Sequence, residues 1–98
     1  METRELDLRV GEARQLRLPG LGSAGYQWTA DVSSDAVAVE LRPGDAPPAA
    51  PATHNRDVVA VVRGRAPGRA RVHLALRRPW EVERPPLREI VVQVTVVR

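Results

Sequence analysis

The residues with the clearest chemical potential stand together in Gly20-Leu21-Gly22-Ser23-Ala24-Gly25. Their glycine spacing matches the dinucleotide fingerprint, in which glycines lead into a helix whose N-terminus faces a pyrophosphate. Here Tyr26 to Val32 alternates apolar and polar residues, which predicts a strand, and no βαβ unit fits in 98 residues without helical periodicity. The fingerprint is therefore rejected. Ser23 would need a base held by a third group to act as a nucleophile. The two histidines are His54, in a proline-rich segment, and His73, on the outer face of a predicted strand, and neither is placed for that role. Two isolated histidines also fall short of the three or four converging ligands a metal requires. We expect no enzyme, no metal and no cofactor.

The aromatic residues point instead to contact chemistry. Trp28 falls mid-strand, where immunoglobulin-like domains commonly bury a tryptophan between their sheets, so it is expected in the core. Tyr26 fits the core or a contact surface equally well. Trp80 follows Pro79 in a loop among Arg77, Arg78, Glu81 and Glu83, with no alternation to turn it inward. An exposed tryptophan marks a contact site.

The elements that must position these residues are strands. A period of two runs through Leu6–Val10, Leu16–Leu18, Tyr26–Val32, Val37–Leu41, Val72–Leu76 and Ile90–Val96, and Val58–Val62 is a nearly continuous apolar run. Gly11-Glu12, Ser33-Ser34-Asp35, Pro43-Gly44 and Ala66-Pro67-Gly68 supply turns, the last joining an expected hairpin. Residues 43–56 contain Pro43, Pro47, Pro48 and Pro51 and read as a long loop, partly polyproline II. Short alternating strands with turn signals every 8 to 12 residues predict an all-β chain, an immunoglobulin-like β-sandwich of about seven to eight strands. An SH3-like or OB barrel is the alternative architecture.

Composition bounds the rest. A chain of 98 residues predicts a single domain spanning 1–98. With no Phe, one Tyr and two Trp, its core must be aliphatic. The absence of cysteine excludes disulfides and thiolate chemistry. The fifteen basic residues are all arginine, as a G+C-rich bacterial genome would favour. They alternate along strands against twelve acids instead of clustering beside stacking aromatics, so nucleic-acid binding is not expected. No apolar run of leader or membrane-spanning length is seen, from which we expect no membrane partner and a cytoplasmic location. Composition leaves the oligomeric state open.

Gly25-Tyr26-Gln27-Trp28 after a small-residue loop, and Arg78-Pro79-Trp80 some fifty residues later, resemble two of the three signature loops of the chagasin-type inhibitors of papain-like cysteine proteases. The resemblance spans nearly the whole chain. It implies an immunoglobulin-like sandwich whose three end loops wedge into the protease cleft, with a papain-like cysteine protease as partner. The first family loop reads Asn-Pro-Thr-Thr-Gly before the aromatic residue. Gly22 stands here for the proline and Ala24 for the threonine nearest the catalytic cysteine, so the loop stays small but loses a hydroxyl. The family's Gly-x-Gly-Gly loop is replaced by Ala52-Thr53-His54-Asn55. By this resemblance Gly22, Ser23, Ala24, Gly25, Tyr26, His54, Asn55, Arg78, Pro79 and Trp80 form the protease-binding set. A non-inhibitory module on the same fold, recognising another protein, is the alternative.

Overall fold

Alternation along the sequence is realised as seven strands among the described residues. They are β1 (Glu2–Arg9), β2 (Ala13–Leu18), β3 (Gln27–Val32), β4 (Val37–Pro43), β5 (Val58–Gly64), β6 (Gly68–Arg77) and β7 (Arg88–Val97). The computed structural model describes residues 2–20, 25–44 and 57–98. The strands form two sheets, one ordered β1-β7-β6-β3 and the other β2-β5-β4. This is the immunoglobulin-like sandwich expected from the sequence. β1 runs parallel to β7, and the other pairs are antiparallel.

The inward faces carry the core. Leu6 and Leu8 of β1, Val72, Leu74 and Leu76 of β6 and Ile90, Val92, Val94 and Val96 of β7 meet Leu18, Val37, Ala60 and Val62 of the smaller sheet. Each is nearly excluded from water, and along β1, β5, β6 and β7 they sit two residues apart, as a period of two requires. No polar or charged residue is buried among the described residues, so apolar burial supplies the cohesion between the sheets.

The expected hairpin of β5 with β6 does not form. β5 pairs with β2 and β4, while β6 pairs with β3 and β7, so residues 65–67 cross from one sheet to the other. The corner is held by Ala36, whose carbonyl accepts the N–H groups of Arg65 at 2.7 Å and Ala66 at 3.2 Å. Those donors are thereby committed to the β3–β4 turn, and Pro67 has none to offer a hairpin. Strand limits also move: β1 reaches back to Glu2, Val10 leaves β1 for the turn, and Tyr26 stands just before β3.

Register gathers three connections at one end of the sandwich. Leu18 and Pro43 both pair with Val58, which brings the end of β2, the end of β4 and the start of β5 together. Gln27 pairs with Arg77 and Leu76 with Arg88, which brings the start of β3 and both stems of the β6–β7 loop to one end of their sheet. A hydrogen bond from Trp28 Nε1 to the Pro19 carbonyl, 2.8 Å long, ties these two groups.

Candidate loop-end contact site

Of the ten residues expected to bind a partner, the described part of the chain includes Gly25, Tyr26, Arg78, Pro79 and Trp80, and it brings all five together. Gly22, Ser23, Ala24, His54 and Asn55 lie outside the described residues, as does most of the 43–56 loop. Their stems are described. Gly44 donates to the Asp57 carbonyl at 2.6 Å, and a β-carbon on Gly44 would come within 2.7 Å of that oxygen, so only glycine allows this approach. Asp57 also meets Arg17 at 3.2 Å, linking the base of this loop to the end of β2.

The β6–β7 connection, residues 78–87, is built from successive turns. The Arg78 carbonyl accepts the Glu81 N–H at 3.0 Å, which makes Arg78-Pro79-Trp80-Glu81 a β-turn with proline in its second position and tryptophan in its third. Proline there fixes the φ that the turn needs. The Glu81 carbonyl then accepts the Arg84 N–H at 3.3 Å, and Leu87 returns to the sheet by donating to Leu76 at 2.8 Å.

This construction leaves Trp80 68% exposed, as expected of a contact residue, with its indole edge over the backbone of Gly25. Gly25 has φ of 86°, a conformation that favours glycine. A β-carbon there would overlap Trp80 Cη2 and lie 3.2 Å from Cζ2. Trp28, by contrast, is 7% exposed and belongs to the core, with its indole N–H satisfied by Pro19. Tyr26 is half-buried. Its ring packs partly against the core, and its outer face carries the Arg78 guanidinium, 4.6 Å from the ring centroid.

Three residues of this loop, Glu81, Val82 and Leu87, were not singled out by their sequence context. Glu81 places its carboxylate between Arg78, at 3.8 Å, and Arg84, at 3.4 Å. Its spacing of three residues from each arginine is the signal it leaves in the sequence. Val82, 77% exposed, extends the apolar surface beyond Trp80, and Leu87 is 52% exposed. Beside them Tyr26, Arg77, Arg78, Glu81, Arg84 and Leu87 help line an open groove of about 420 Å³.

Among the described residues, Gly25 leads into strand β3 at Gln27 and not into a helix. His73 lies on the outer face of β6, 3.1 Å from Glu89 and away from the loop end. Among the described residues no group of three His, Cys, Asp or Glu could hold a metal ion, and no helix is long and apolar enough to cross a membrane. What the end offers is a hydrogen-bonded turn, an exposed indole and a cation stacked on tyrosine, which are features of a protein-binding surface.

Comparison with known proteins gives the same direction. A family model described as chagasin family peptidase inhibitor I42 matches residues 7–94. No curated protein sequence matches. Among solved structures, the cysteine protease inhibitor EhICP2 from Entamoeba histolytica is similar with a TM-score of 0.75 at 20% identity, covering 97% of this chain and 91% of that one. Amebosin, in a solution structure, gives 0.72 at 20% identity over 98% of both chains. PbICP-C, solved in complex with falcipain-2, gives 0.75 at 20% identity over 97% of this chain and 88% of that one. At this identity these structures establish the shared fold.

Proposed function

This chain belongs to the chagasin family of peptidase inhibitors, and from that premise we propose that it inhibits papain-like cysteine proteases reversibly, by seating the loop end of its sandwich in the active-site cleft. One observation carries the proposal: the turn Arg78-Pro79-Trp80-Glu81 presents a 68% exposed indole directly beside Gly25, at the end where the register gathers the other loop stems. Similarity to PbICP-C, whose solved complex contains falcipain-2, supports the class of partner.

In this reading Ser23, Ala24, Gly25 and Tyr26 lie over the catalytic cysteine, and Trp80 packs on an apolar wall with Arg78 beside it and Pro79 stiffening its base. His54 and Asn55 meet the opposite rim. An interface of standard size would bury about 800 Å² per partner. No covalent bond is formed, so inhibition is competitive and reversible. Ala24→Thr tests the assignment of the first loop, because it restores the hydroxyl expected nearest the protease sulfur. Tighter inhibition of papain supports the alignment, and an unchanged inhibition constant contradicts it.

The departures at Gly22, Ala24 and 52–55 favour a second reading, in which the same end recognises a protein other than a protease. Trp80→Ala would weaken either interaction, whereas Ala24→Thr would improve only the first. A bacterial source is supported by the all-arginine composition alone; the organism named with a similar structure is the eukaryote Entamoeba histolytica.

A further inference from the structure

We propose that Glu81 is the positioning residue of the β6–β7 loop, the group that holds Trp80 in the orientation it presents. Trp80 and Val82 are 68% and 77% exposed, so burial in the sandwich core does not fix this loop. Between them Glu81 points inward, with its side chain 18% exposed. Its main chain closes both turns, donating to the Arg78 carbonyl at 3.0 Å and accepting from Arg84 at 3.3 Å. Its two carboxylate oxygens take different partners: Oε1 faces Arg78 Nη1 at 3.8 Å, and Oε2 faces Arg84 Nη1 at 3.4 Å.

Arg78 continues the chain of contacts inward, since its guanidinium lies on Tyr26 and Tyr26 packs against the core. The route from core to exposed indole is therefore Tyr26, Arg78, Glu81 and the turn that carries Trp80. A neutral residue at 81 keeps both main-chain hydrogen bonds and removes the carboxylate that faces Arg78 and Arg84. Networks of this kind gain over isolated surface pairs because one carboxylate serves two cations. The effect on inhibition rests on the protease reading above; the effect on Trp80 order does not.

The test compares wild type with Glu81→Gln and Glu81→Ala by ¹⁵N relaxation of the two tryptophan indole N–H signals, the Trp80 signal being the one lost in Trp80→Ala. The expected result is an ordered Trp80 indole in wild type that becomes mobile in both variants, while the Trp28 indole and the melting temperature stay as they were. High salt should loosen Trp80 in wild type and leave Glu81→Gln unaffected, because screening removes only what the charge supplied. Papain inhibition should weaken about threefold to tenfold in Glu81→Gln. A Trp80 indole as ordered in Glu81→Gln as in wild type overturns the proposal. If wild type fails to inhibit papain, the protease reading falls and the relaxation data still decide the role of Glu81. Should Glu81→Ala not fold, Arg84→Met replaces it, with partial loosening expected and unchanged order counting against the network.

Discussion

The Trp80 indole lies over Gly25 so closely that no side chain fits between them, and Gly25 holds a positive φ of 86°. Residues 55 positions apart thus form one surface, and the glycine serves both the turn before β3 and the seat of the tryptophan. Gly25→Ala should destabilise the fold by about 1–3 kcal/mol from backbone strain, and should also displace the indole. Urea denaturation reads the first effect. A change in Trp80 emission at temperatures where the protein stays folded reads the second.

Trp80→Ala should separate binding from folding. The side chain is mostly in water, so its removal should change stability by less than about 0.5 kcal/mol. As an exposed aromatic at the centre of the proposed contact it should cost about 2 kcal/mol or more of binding, roughly a 30-fold loss. Parallel denaturation and inhibition measurements on this variant check both halves.

Trp28 should behave in the opposite way. Trp28→Phe shrinks a core side chain and leaves the Pro19 carbonyl without its 2.8 Å donor, so it should lower stability by about 2 kcal/mol. Inhibition measured well below the melting transition should fall less than for Trp80→Ala, because Trp28 is a core residue that meets the base of the first loop through its hydrogen bond to Pro19.

Away from the loops, Glu40 and Arg42 pair at 2.8 Å on the outer face of the small sheet. The hydrogen bond from Arg42 is the main cause that holds the Glu40 carboxyl below its ordinary value; desolvation opposes it, and the charges of Arg42 and Arg63 add lesser lowering effects. A carboxyl with a lowered folded-state pKa adds stability that is present above its ordinary titration range and lost as pH falls through the lowered value. Arg42→Met should return the Glu40 midpoint, followed by side-chain carboxyl NMR, to the ordinary range. An unmoved midpoint would show that the pair is not formed in solution.

Much of this fold is legible in the sequence because period-two alternation maps directly onto two-sided strands, as at Val72–Leu76 and Ile90–Val96. The pairing of β5 was not. Ala66-Pro67-Gly68 looks like a hairpin turn, and what sends the chain across to the other sheet is the Ala36 carbonyl, 29 residues before Arg65 in sequence, capturing two N–H groups. In the candidate site Trp80 declared itself by the lack of alternation around it. Glu81 did not, because a glutamate in a charged loop carries the same local pattern whether it is solvated or bridges two arginines. The seat of Trp80 on Gly25 depends on the register of β3 against β6, which no local segment encodes.

The most direct test is titration of papain with the purified wild-type protein, following hydrolysis of a small fluorogenic substrate. Competitive inhibition that reverses on dilution, and that weakens about 30-fold in Trp80→Ala, is the expected result. Full papain activity in the presence of high micromolar folded protein would contradict the account.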